Sequence, residues 1–295
     1  MNQLRCPSRT KIILLAPTMI MYIVFLVMPL FIAVRYSFTD FSGIGKAVFS
    51  GVDNYMKLAE DRLFLVSLKN TMIIMGLSGV GLLVGSFIVA LVLNEDFPGN
   101  TLSKAMIFAP YVIAPIIVGL IWGFILNPEY GLINSVLRKL GLESLCIEWI
   151  GGTKWTPVAV SMVFFWQLLG FHATIFLAGI KTIPGDLYEA ASIDGCSRSR
   201  SVFLITIPLL KETIIMNVIL IITGVFKIYE LVVQLTGGGP NHLSDTLVSY
   251  MYYVVFTSSR YGYGMAIAVF ILVISMCVSF FYLRISRNRG KEAAS

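Results

Sequence analysis

Apolar side chains occur along this chain in long unbroken runs separated by short polar stretches. A helix needs about 20 predominantly apolar residues to cross a bilayer. Six runs meet that length: Ile12–Val34, Thr71–Leu93, Ala105–Leu126, Pro157–Ile180, Ile214–Leu235 and Met265–Leu283. None alternates apolar and polar with the period of two that a barrel strand requires, so the backbone is satisfied as helix. The pattern predicts an all-α integral membrane protein with six transmembrane helices. Residues 12–283 form the membrane domain, preceded by a terminal segment at 1–11 and followed by a basic tail at 284–295. The first run is too long for the apolar core of a signal peptide and lacks a small-x-small cleavage site, which predicts a retained helix.

Composition agrees. Of 295 residues, 57% are hydrophobic and 13% charged, against about 25% charged in soluble domains. Lys and Arg set the orientation. With the N-terminus inside, the cytoplasmic segments hold twelve basic residues, from Arg5 to Lys291, and the outer loops hold nine diluted by eight acids. The net charge of +6 follows from this topology and calls for no nucleic-acid partner. Cys6, Cys146, Cys196 and Cys277 are scattered, and no pair has metal-ligand spacing. They read as free thiols, and no metal site is predicted.

In the first outer loop Asn54 is placed to cap a short helix. In the second, "GLINSVLRKLGL" puts Leu132, Ile133, Val136, Leu137 and Leu140 at helical spacing, with Arg138 and Lys139 opposite and Gly141 at the end. That predicts an amphipathic helix along the outer membrane surface. It either seats an external partner or covers the edge of the bundle. "LTGGGPN" (235–241) permits a tight turn but lacks the spacing of a phosphate loop.

The most informative polar interruption is residues 184–208, between the fourth and fifth runs and therefore cytoplasmic. Pro184 keeps the preceding helix from continuing, Asp186 is placed as N-cap with Glu189 in capping-box position, and Gly195 supplies the stop. Two turns of helix are not stable alone in water. Ala190 and Ala191 leave a low face that another protein can approach. The segment is either a docking element or a loop that turns the chain around.

Glu189-Ala190-Ala191, Gly195 and Ile207-Pro208 at these spacings resemble the EAA signature of binding-protein-dependent ABC importer permeases. Ile207 and Cys196 are mild departures from the usual Leu and Ala. "YSFTDF" (36–41), "PEYGLIN" (128–134), "LAGIKTIPGDLYEAASIDG" (177–195) and "FKIYELVVQLTGGGP" (226–240) resemble the carbohydrate branch, the maltose, lactose and glycerol-3-phosphate type. The resemblance implies a multi-pass protein of the bacterial inner membrane with both termini cytoplasmic. It implies a coupling helix carried by Glu189, Ala190, Ala191, Asp194 and Gly195, seated in a groove of a dimeric ATP-hydrolysing subunit. A second permease subunit, an extracytoplasmic solute-binding protein and membrane lipid complete the implied partners. No G-x-x-x-x-G-K-[ST] occurs in the chain, so ATP and magnesium belong to the partner, and this chain holds no cofactor and no catalytic residues.

Ionisable groups within a span usually face the interior of the bundle. Lys227 and Glu230, three residues apart in the fifth run with Tyr229 between them, either neutralise each other across one helical turn or line the solute path. In "FFWQLLGFH" (164–172), Gln167 and Phe171 resemble solute contacts of the maltose-type permease. Trp166 is a further aromatic candidate, and packing is the alternative for all three. His172 is read as hydrogen-bonded to a neighbouring helix. The expected activity is ATP-powered uptake of a sugar or oligosaccharide, with glycerol 3-phosphate or another polar solute as the alternative. A secondary transporter would show internal repeats, and a membrane enzyme would need clustered catalytic groups. No clear repeat is seen and the spans hold almost none of those groups, which leaves the secondary transporter as the weaker alternative and no catalytic residues to propose.

Overall fold

A computed structural model describes residues 8–152 and 154–292. Parts of the terminal segment 1–11 and of the tail 284–295 lie outside the described residues. The chain is mostly helical and divides into two compact units, residues 1–61 with 251–272 and residues 62–250 with 273–295.

In the first unit α1 (Ser8–Tyr22) and α2 (Met28–Ser37) join through a π-helical turn at Ile23–Val27. A two-residue hairpin, β1 (Thr39–Asp40) and β2 (Val48–Phe49), follows in antiparallel register with Thr39 opposite Phe49. Next comes α3 (Asp53–Glu60). Asn54 is buried inside α3 and does not cap it. Its amide donates to the carbonyls of Ser37 and Thr39, both at 2.9 Å. The two donors of one amide thereby satisfy both carbonyls where the chain passes from the end of α2 into β1.

The second unit begins with α4 (Arg62–Leu93), whose helix starts nine residues before the predicted Thr71. Asn70 explains the extension. It is buried and donates to the carbonyls of Leu243 and Asp245 at 2.9 and 3.0 Å, so polar residues continue the helix. The core helix is α8 (Thr156–Ile180), half buried along its apolar window. Gly81 and Gly85 of α4 lie against Phe165 of α8, and small residues at such contacts let helices approach closely. Side chains left uncovered on α4, such as Val80, Val84 and Ile88, are apolar.

Two predicted spans are not straight. The third is α5 (Asn100–Val112) and α6 (Pro115–Ile125), bent by 95°. Pro115 has no amide hydrogen and disfavours helix at the residue before it. The fifth is α12 (Lys211–Val225), a break at 226–229, and α13 (Glu230–Thr236). Among the described residues four helices, Leu14–Ser37, Arg62–Leu93, Thr156–Ile180 and Tyr261–Arg284, are long and apolar enough to cross a membrane, and the number rises to six if two bent pairs, Asn100–Val112 with Pro115–Ile125 and Arg198–Leu209 with Lys211–Val225, each count as one span.

The amphipathic helix predicted in "GLINSVLRKLGL" forms as α7 (Leu132–Lys139). Gly141 is left-handed (φ +72°), with its amide on Arg138 O and the Leu142 amide on Leu137 O, the Schellman pattern. Between α8 and α12 lie α9 (Asp186–Ile193), α10 (Arg198–Ser201), a π turn at Val202–Thr206 and α11 (Ile207–Leu209). The stretch Arg198–Leu209 meets α12 at 72°. The remaining helices are α14 (Leu247–Tyr252) and α15 (Tyr261–Glu292).

Candidate functional site

The two helix breaks converge. A cavity of ≈ 460 Å³ is lined by Tyr111, Pro115, Phe164, Gln167, Lys227, Tyr229 and Glu230, with Leu168, Gly224, Ile228 and Leu231. Non-helical backbone at membrane depth is tolerated only where it is buried in protein or lines a cavity, and here it does both. Gln167 reaches from α8 and donates Nε2 to Ile113 O at 3.1 Å, satisfying a carbonyl that the bend at Pro115 releases. With Nε2 used, Oε1 is left as an acceptor. At the other break, Thr246 donates its hydroxyl to Ile228 O at 3.1 Å.

Four of the five residues selected for the solute path therefore line one cavity. Phe171 stands behind it and stacks on Tyr111, with centroids 4.5 Å apart and planes at 16°. Trp166 is turned away and meets Trp122 edge-on at 5.5 Å. Lys227 and Glu230 do not form a pair across a helical turn, because the chain is not helical between them. Both are exposed. Sequence reasoning missed Tyr111 and Pro115. Pro115 within an apolar run was the available signal, since it marks where a carbonyl must find another donor.

At 184–208 the chain forms the predicted two-turn helix, but the cap differs. Gly185, in right-handed helical geometry, occupies the cap position without a side-chain bond, and Asp186 is the first helical residue. Asp186 and Glu189 complement the positive end of the helix by charge instead. Gly195 (φ +77°) stops it, with Gly195 N on Ser192 O and Cys196 N on Ala191 O, a second Schellman motif. Glu189, Ala190, Asp194 and Gly195 are exposed, and Ala191 is half-buried. Leu187 and Ile193 are apolar yet exposed, Ile193 at 87%. Tyr188 turns inward and its hydroxyl meets Thr206 Oγ1 at 2.9 Å. Arg198 pairs with Glu95 at the end of α4.

Residues 71–291 match the model of the binding-protein-dependent transport system inner membrane component. The chain belongs to this family. It is thus an inner-membrane transport component and not an enzyme. It is 32% identical to the probable ABC transporter permease protein YurN of Bacillus subtilis over 94% of this chain and 96% of that one. It is 34% identical to the sulfoquinovosyl glycerol transport system permease protein SmoG of Agrobacterium fabrum, over 94% and 90%. Identity with the trehalose/maltose transport system permease protein MalF of Thermococcus litoralis is 30%, over 94% and 93%. Among solved structures, a chain of a bacterial ABC transporter importing the acidic polysaccharide alginate superposes with a TM-score of 0.83 at 24% identity, covering 95% and 96%. That likeness bears on the fold.

Proposed function

We propose that this permease is one of two membrane subunits of an ABC importer that carries a sugar or oligosaccharide from an extracytoplasmic binding protein to the cytoplasm. Six spans run with both termini cytoplasmic, α5 with α6 and α12 with α13 each counting as one. The cavity between the breaks is the solute path, and α9 is the coupling helix that seats in the ATPase dimer, which binds the ATP and magnesium.

One observation carries the reading: Gln167, Lys227, Tyr229 and Glu230 share a cavity with the ring of Tyr111. Amides and carboxylates bond hydroxyls, and a ring face suits the C–H surface of a sugar. The sugar-named relatives support the same solute class. Exposed Leu187 and Ile193 beside Ala190 give α9 the apolar, low-relief face that a protein groove would cover.

The test is uptake by the reconstituted importer. Transport will need ATP and loaded binding protein. Gln167→Leu will slow it roughly tenfold, the worth of one hydrogen bond at about 1.4 kcal/mol, without loss of assembly. Glu189→Lys will weaken capture of the ATPase. Uptake by this chain alone, driven by an ion gradient, would overturn the proposal.

A further inference from the structure

Two neighbouring residues of α8 look toward different helices. Successive residues on a helix are rotated by about 100°, so Phe171 meets α5 while His172 meets α12. Phe171 lies flat on Tyr111, the aromatic wall of the cavity. His172 is fully buried, stands edge-on to Phe171 at 5.2 Å, and holds Nδ1 2.7 Å from Asn217 Oδ1. Asn217 is also buried and donates Nδ2 to Thr213 O at 3.0 Å. Its oxygen is therefore the acceptor, and the His172 proton sits on Nδ1.

Thr213 is one turn above the 72° elbow, and its hydroxyl occupies the space a Cβ on Gly179 of α8 would need. Below it, Leu210 is buried among Phe176, Leu177 and Ile180, and its amide bonds Thr206 O at 2.9 Å. Thr206 in turn holds Tyr188 of α9. Packed contacts and hydrogen bonds thus run without a gap from α9 to the cavity wall.

We infer that the His172–Asn217 hydrogen bond is a pin that ties the tilt of α12, and with it the α9–α11 segment, to the Tyr111 wall of the cavity. Neither residue lines the cavity, so both are positioning residues. Buried in apolar surroundings, the bond holds one geometry, because letting go leaves two polar groups unsatisfied. When α12 swings at the elbow, the pin carries the His172 face of α8 with it, and the adjacent Phe171 shifts the ring it supports. Close-packed elements exchange between discrete arrangements and do not deform smoothly. The inference rests on the docking role proposed for α9.

The test measures ATP hydrolysis by the complete importer in nanodiscs, with and without solute-loaded binding protein. His172→Leu and Asn217→Leu will each cut the stimulation by loaded binding protein roughly fivefold or more, a normal allosteric coupling. Basal hydrolysis and the yield of assembled complex will stay at wild-type levels. His172→Gln, which keeps an N–H donor, will restore most of the stimulation. The double variant will lose no more than either single one. Intact stimulation in the Leu variants overturns the pin, as does a loss that Gln does not rescue or a parallel fall in assembly. Failure of the docking role reads out separately, as normal ATPase capture by Glu189→Lys.

Discussion

Single positions decide much of this structure where its helices pack closely. Gly170 of α8 is a case where an absent side chain matters. A Cβ there would fall on the carbonyl of Ile107 and lie 2.8 Å from Phe108 Cα, and backbone cannot step aside. Gly170→Ala will lower stability by about 1–3 kcal/mol, read as the thermal midpoint of the purified permease. Gly76 in α4, with nothing within 4 Å of an added Cβ, is the control. There Ala will be neutral or raise the midpoint, as expected from a helix propensity gain of up to about 1 kcal/mol. Asp245, in the loop between α13 and α14, is buried and accepts from Ser249 at 2.6 Å, with His242 2.9 Å away. Burial pushes its carboxyl above the ordinary value of 3.8, and the bonds to Ser249 and His242 only partly oppose that. Its contribution is fully present below 3.8 and is lost as pH rises through the elevated value. Asp245→Asn keeps an acceptor for Ser249, so the midpoint of the variant will decline less than that of the wild type as pH is raised from 3.8.

Whole elements show what the sequence could and could not reveal. The short helices α7 and α9 were legible from their glycines, because a left-handed residue at Gly141 and Gly195 lets two carbonyls be capped at once. The second and fourth spans were legible from continuous apolar runs. The third and fifth predicted runs were legible as apolar but not as interrupted, since hydropathy records transfer to lipid and is silent about direction. Pro115 alone hinted at the first bend. Nothing in "FKIYE" announced the break at 226–229, where Ile228 O is bonded by Thr246 from a distant loop. For the same reason Lys227 and Glu230 read as helical neighbours, whereas the break frees both for the cavity. The Arg198–Glu95 pair between α10 and the turn after α4 illustrates the opposite limit. Its side chains are 75% and 45% exposed, and exposed pairs contribute about 0–1 kcal/mol. Glu95→Gln will therefore change the thermal midpoint by no more than a degree or two.

At the scale of the molecule, the proposed mechanism depends on which side of the membrane each polar segment faces. The charge asymmetry is modest, twelve basic residues against nine, so orientation should be tested directly. Two sites report it without touching the cavity. Ile193, at the end of α9, is 87% exposed, and Leu140, at the end of α7, is 68% exposed. In a chain with its native cysteines replaced by serine, an impermeant maleimide will label Ile193→Cys only in inside-out vesicles and Leu140→Cys only in right-side-out ones. Adding the ATPase subunits will then protect Ile193→Cys, because an exposed isoleucine beside Ala190 is the surface a docking groove covers. Labelling of Ile193→Cys from the outside would place the lever on the wrong side of the bilayer, where no ATPase can grip it. The His172–Asn217 pin would then have no motion to transmit.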